Sequence, residues 1–243
     1  TAQLLTEARL NQPFGFLGWQ PRMQDGKVRG LLLRCYLPHA SAVSAFDSKT
    51  NKLLGELTPD SSCPGLFVLE LPTKRKAVPY RLQVTQGRYQ HQLFDPYQFT
   101  EQAYYAVHFV QHQPENLYRQ LGAQLIELDH AGKRLPATRF AVYAPNASSV
   151  SLVGDFNQWD GRCHPMQRTD CGHFVLVLPE VAAGVRYKFE IKDQHGHLLP
   201  HKADPLAFYA EQYPSHASLV YDHQQYQWQD QAWQNRTAPN PYQ

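Results

Sequence analysis

The segment best equipped for chemistry is Gly154-Asp155-Phe156-Asn157-Gln158-Trp159-Asp160, which follows directly on the apolar run Val150-Ser151-Leu152-Val153. Gly154 permits a tight backbone, and Asp155 or Asn157 can hydrogen-bond back onto it. The string therefore predicts a turn that carries Trp159 near the surface. An indole near water, flanked by carboxylates and an amide, suits a sugar. The apolar face of a glucose ring lies on the π system while Asp155, Asn157, Asp160 and Lys188 reach its hydroxyls. A tryptophan at a strand end has a second reading, as a cap on the fold or a contact with another domain, and spacing alone leaves both open. Phe156 is expected to be buried.

Other chemistry-bearing groups have plainer readings. His195, His197 and His201 invite a metal, but no fourth ligand has suitable spacing, and they read as polar-loop histidines. Glu190 and Asp193 are three apart on a period of two, which points them to opposite faces and makes them poor acid/base partners. Asp95 and Asp204 each precede a proline and read as turn devices. Lys74-Arg75-Lys76 reads as a solvated turn. P-loop, HExxH, GxSxG and GxGxxG patterns are absent.

The elements that position these residues come from a repeat. A shift of 107 residues superimposes 14 identities on positions 36–80, from Tyr36/Tyr143 through Gly65/Gly172 to Tyr80/Tyr187, against about three by chance. Asp95-Pro96 and Asp204-Pro205 continue the match after a two-residue slip. Each copy reads as short strands: Leu31–Tyr36, Phe67–Leu71 and Tyr80–Val84, then Arg139–Tyr143, Val150–Val153, Phe174–Leu178 and Tyr187–Ile191. The expected fold is all-β, two tandem immunoglobulin-like β-sandwiches joined by a short helical connector. The expected divisions are a helix over 1–11, a sandwich over 12–99, a connector over 100–125, a second sandwich over 126–223 and a tail over 224–243. Within the connector, helix is expected over Glu101–Gln111 and Glu115–Leu121. The strand-after-strand order excludes a (β/α)₈ barrel and a Rossmann fold.

Composition narrows the setting. The 243 residues are 42% hydrophobic and 18% charged, with a mean hydropathy of −0.53. Twenty-three Lys+Arg against 21 Asp+Glu gives +2, which is no electrostatic footprint for nucleic acid or an anionic membrane. No apolar run approaches the ~18 residues of a membrane-spanning helix. The first ten residues lack the apolar centre of a signal peptide. Cys35, Cys63, Cys163 and Cys171 show no CxxC spacing, so reduced thiols and a cytoplasmic setting are expected.

Arg139-Phe-Ala-Val-Tyr-Ala-Pro-Asn-Ala147, Val153-Gly-Asp-Phe-Asn-Gln-Trp-Asp-Gly161, His164-Pro-Met166, Arg186-Tyr-Lys-Phe189 and Lys202-Ala-Asp-Pro205 together resemble the family 48 carbohydrate-binding module. More narrowly, they resemble that module as it occurs in bacterial 1,4-α-glucan branching enzymes, and the first copy resembles the extra N-terminal module of those enzymes. Gln12-Pro-Phe-Gly-Phe-Leu-Gly18 and Leu121-Gly-Ala123 match the family's DPFxxLG-like and LGAH-like segments. The resemblance implies a partner, α-glucan such as glycogen or a malto-oligosaccharide, and a parent reaction that moves α-1,4 segments to α-1,6 positions without metal or organic cofactor. It places that reaction in a catalytic barrel toward which the tail leads, so no catalytic residue is expected in this sequence. Two departures stand out. Tyr143 replaces a frequent Trp. Asp193–His201 lacks the second Trp that completes the two-aromatic platform of some glycogen-binding relatives, leaving His197 as a weak substitute. One missing aromatic face, worth about 0.5–1.5 kcal/mol, implies a Kd in the millimolar range, about −4 kcal/mol. The resemblance also leaves open a scaffold role with no autonomous sugar binding.

Overall fold

The computed structural model describes residues 1–74, 76–110 and 117–235. The first module holds seven strands: β1 Gly18–Gln24, β2 Lys27–Tyr36, β3 Ala42–Asp47, β4 Leu53–Pro59, β5 Leu66–Leu71, β6 Tyr80–Gln86 and β7 Tyr89–Leu93. Their order is β1-β2-β5-β4-β3-β6-β7, antiparallel throughout. β4 is the corner: Leu53 to Leu57 pair with β3, while Thr58 and Pro59 pair with β5. The bend brings inward-facing residues of both arms together, so Leu33, Val43, Ala45, Phe67, Tyr80, Leu82 and Val84 share one core.

The second module has two four-stranded sheets. One is β10 Ser149–Gly154, β13 Arg186–Lys192, β15 Ser218–Leu219 and β14 Tyr209–Ala210, in that order. The other is β11 Gln167–Arg168, β12 His173–Pro179, β9 Lys133–Tyr143 and β8 Gly122–His130. Phe140, Val150, Leu152, Phe174, Leu176, Tyr187 and Phe189 fill the space between them.

The expected sandwiches and their repeat are both present. β2, β3, β5 and β6 occupy the positions of β9, β10, β12 and β13. Even local devices recur. Gly65 (φ +90°) would bring a Cβ within 2.7 Å of Pro38, and Gly172 (φ +80°) within 2.8 Å of Pro145. Both glycines therefore sit where a side chain is strained by conformation and by contact.

Helix α2, Thr100–Val110, lies on the outer face of β9 and β12, where Ala103 packs with Ala137, Ala141, Val175 and Val177. That sheet is buried on both faces, which explains the nearly unbroken apolar run of β12. Helix α3 spans Leu117–Gln120, and residues 111–116 of the expected connector lie outside the described residues. β8 begins at Gly122, whose φ of +79° turns the chain into the strand, four residues ahead of the expected boundary at 126.

The N-terminal segment corrects the expected helix over 1–11. Helix α1 spans only Ala2–Thr6, because Ala8 adopts a left-handed φ of +51° and Pro13 follows. Leu4 is exposed, while Leu5 and Leu10 are buried. The segment also does not precede the first sandwich as a separate element. Asn11 Nδ2 donates to the Ser148 carbonyl at 2.9 Å, Arg168 N donates to the Asn11 carbonyl at 2.8 Å, and Lys192 Nζ donates to the Ala8 carbonyl at 3.1 Å. Leu5, Leu10 and Leu17, together with Tyr36, Leu66 and Tyr97, join the core of the second module. The two sandwiches are thereby packed through one continuous apolar cluster.

In the tail, helix α4 covers Gln231–Gln234, Trp228 and Trp233 are exposed, and 236–243 lie outside the described residues. Arg75, in the expected Lys74–Lys76 turn, does so too. None of the four cysteines forms a disulfide. No helix among the described residues is long and apolar enough to cross a membrane.

Candidate carbohydrate-binding site

β10 and β13 run antiparallel with Val153 opposite Lys188 and Gly154 opposite Tyr187. The period of two buries Tyr187 and Phe189 and turns Arg186 and Lys188 outward. At the end of β10 the chain makes a 3-10 turn over Asp155–Asn157. A Cβ at Gly154 would meet the Phe156 ring at 2.7 Å, so only glycine lets this turn close. Gln158 and Trp159 both have left-handed φ, +55° and +61°, and Trp159 N donates to the Gly154 carbonyl at 3.1 Å.

Asn157 builds the turn from beneath. Its Oδ1 accepts from Gly154 N at 2.9 Å, and its Nδ2 donates to the Leu152 carbonyl and to His164 Nδ1, both at 2.9 Å. The residue is buried. Its amide therefore has no free group to offer a sugar. Burial lowers the His164 pKa to about 4, so the ring is neutral and its unprotonated Nδ1 can accept from Asn157.

Asp155 and Trp159 stand on the outward side. Arg186 Nε and Nη2 each reach the Asp155 carboxylate at 3.0 Å, a bidentate grip that holds its pKa below the usual carboxylate range. The Trp159 side chain lies close enough to the same carboxylate to add to that lowering. Arg186 also reaches Glu211 at 3.2 Å, and Lys188 Nζ lies 3.1 Å from His216 Nε2. The result is a half-buried indole beside an acid, with Arg186 and Lys188 on the adjoining strand and the His216 imidazole on the segment beyond it. Such a surface can stack on a sugar face and donate to hydroxyls.

Asp160 points elsewhere. It accepts from Arg162 Nη2 at 2.7 Å and from His39 Nε2 of the first module at 3.0 Å. Burial works to raise its pKa, but Arg162 and His39 bring it below the ordinary value. Of the five residues singled out from the sequence, the structure thus brings Trp159, Asp155 and Lys188 to one outward face. It turns Asn157 and Asp160 away from it. Phe156, expected to be buried, is half-buried against Phe140 and His164.

Sequence reasoning passed over Arg186, Glu211 and His216. Arg186 was accessible, since it shares a face with Lys188 by strand period. Glu211 and His216 lie beyond β13 on a segment with no periodic signal. A separate cavity of about 250 Å³ opens at the seam of the two modules, with Pro38, His39, His91, Phe156, His164 and Glu180 in its wall; Trp159 and Lys188 are not part of it. The histidine loop holds no ligand cluster. His197 faces Asp193 at 3.3 Å and His201 faces Glu190 at 3.5 Å.

Comparison with known proteins assigns both modules. Residues 1–97 match the N-terminal domain of alpha-1,4-glucan branching enzyme GlgB, and residues 120–207 match carbohydrate-binding module 48, the isoamylase N-terminal domain. The 1,4-alpha-glucan branching enzyme GlgB of Pseudoalteromonas atlantica is 52% identical over 98% of this chain and 32% of its own length. The enzyme of the same name from Vibrio parahaemolyticus is 43% identical over 97% of this chain and 30% of its own length. The chain thus spans about a third of the length of the curated relatives it matches. By these matches the chain corresponds to the N-terminal portion of GlgB branching enzymes, a GlgB N-terminal domain followed by carbohydrate-binding module 48.

Proposed function

We propose that this chain is the non-catalytic, glucan-handling part of a 1,4-α-glucan branching enzyme acting in glycogen biosynthesis. The parent transfers α-1,4 segments to α-1,6 positions in a barrel outside this sequence. The second sandwich presents Trp159 to a linear α-glucan, and Asp155, Lys188 and the neighbouring Arg186 orient hydroxyls around it. Asn157 and Asp160 serve the turn and the module seam. The observation that carries this reading is the placement of Trp159 on a turn held by Asn157 from below and Asp155 from the side. A pre-set aromatic face loses little freedom on binding. A cytoplasmic setting, with neither nucleic acid nor membrane as partner, completes the reading.

A second reading is favoured by the shared apolar cluster. Two sandwiches welded through Leu5, Tyr36 and Phe140 make a stiff support for a catalytic barrel, with no sugar binding of their own. Titration with maltoheptaose separates the two. Saturable amide shifts clustered on residues 154–159 and 186–190, lost in Trp159→Ala, support the glucan-binding reading. No shifts at tens of millimolar, with the variant still folded, leave the scaffold.

A further inference from the structure

We propose that His39, Asp160 and Cys163 form a site for one divalent cation of the zinc type, which bolts the first sandwich to the second. One ligand atom from each of the three lies within 4.8 Å of the others. The trio joins the two modules: His39 follows β2 in the first, and Asp160 and Cys163 flank Arg162 in the second.

The donor set decides the class of ion. One imidazole, one carboxylate and one thiolate suit a borderline-soft metal and leave Mg²⁺ or Ca²⁺, which want oxygen alone, poorly served. Geometry agrees. His39 Nε2 and Asp160 Oδ2 are 3.0 Å apart. A tetrahedral zinc with bonds of about 2.0–2.3 Å would hold its ligand atoms about 3.3–3.6 Å apart, a spacing between the 3.0 Å of the His39–Asp160 pair and the 4.8 Å within which all three ligand atoms lie. The metal replaces the direct His39–Asp160 hydrogen bond. The half-exposed His39 leaves one side open for water as a fourth ligand. Cys163 binds as thiolate and its proton passes to solvent.

Arg162 has two opposed parts. Its backbone N–H donates to Asp160 Oδ1 at 2.9 Å and orients the carboxylate, as outer-shell partners of metal ligands do. Its guanidinium reaches Oδ2 at 2.7 Å and competes with a cation there. Removal of that competing charge should therefore tighten the site, an effect a purely structural ion pair would not produce.

Cobalt(II) titration of the chain reads this directly, because a thiolate ligand gives a charge-transfer band in the near ultraviolet. The expected result is one equivalent bound with that band, displaced by Zn²⁺. Cys163→Ser should remove the band and Cys171→Ser should keep it. His39→Ala, at a half-exposed position outside the core, should weaken binding at least about tenfold. Arg162→Gln should strengthen it several-fold. Absence of the band in the native chain, its survival in Cys163→Ser, unchanged affinity in His39→Ala or weaker binding in Arg162→Gln would overturn the proposal.

Discussion

The Tyr187 hydroxyl donates to Asp204 Oδ2 at 2.7 Å inside the second sandwich, and Tyr80 makes the same bond to Asp95 Oδ2 at 2.6 Å inside the first. In each module the tyrosine lies on the last of the four repeated strands, β6 or β13, and the aspartate precedes a proline 15 or 17 residues further on. The aspartate also accepts a backbone N–H two residues on, from Leu206 or Tyr97. Burial raises both carboxyl pKa values. Removal of one hydroxyl leaves a buried carboxyl short of a partner, so Tyr187→Phe should cost about 1–3 kcal/mol. Urea unfolding checks this, and a loss within error would show that the bond is replaceable by water.

The N-terminal thread makes a second test. Leu5 is 1% exposed and packs with residues of the second sandwich, 130 and more positions away. Leu5→Ala should destabilise by about 2–4 kcal/mol. Hydrogen exchange should show the loss in residues 140–190, not only near position 5.

Gly172 gives a third. Alanine there must adopt φ near +80° with Pro145 2.8 Å from its Cβ. Gly172→Ala should cost at least about 1–2 kcal/mol, and Gly184→Ala, at φ +89° with nothing within 4 Å, should cost less. Thermal melts of the pair separate contact from conformation.

His164 predicts a pH dependence. Its folded pKa, about 4, is depressed below the unfolded value. The contribution to stability is fully present above an unfolded pKa of about 6.5 and is lost as pH falls from there through the folded value. The loss is up to about 3 kcal/mol by linkage. His164→Gln should flatten the stability profile between pH 6.5 and 4, and an unchanged slope would show that the ring is not the cause.

Much of the fold was legible where strands carry dense apolar runs, as in Leu31–Tyr36 and Phe174–Leu178. β1, β3, β4, β7, β8, β11, β14 and β15 were not. β1 contains Pro21 and is a sheet edge, where a missing N–H is tolerated. β7, Tyr-Gln-His-Gln-Leu, is exposed along nearly its whole length, so no burial pattern marks it. β4 changes partners between Leu57 and Thr58 and carries Gly55 at an irregularity in its pairing with β3. At the candidate site the turn itself was readable, because Gly154 and Asn157 act within four residues of each other. The direction of Asp160 was not. Its partner His39 is 121 positions away, and nothing local distinguishes a carboxylate facing solvent from one facing another module.

The N-terminal thread also has a consequence for synthesis. Asn11 and Ala8 leave the ribosome before the Ser148, Arg168 and Lys192 groups they bond, which emerge only after the whole first sandwich. At about 5–20 residues per second, the thread waits on the order of ten to forty seconds for its partners. The first sandwich can close during that interval around its own core of Leu33, Phe67 and Tyr80. The nascent chain therefore carries Leu5, Leu10 and Leu17 without their second-sandwich partners until translation passes β13, a window in which a chaperone has an incompletely covered apolar segment to hold.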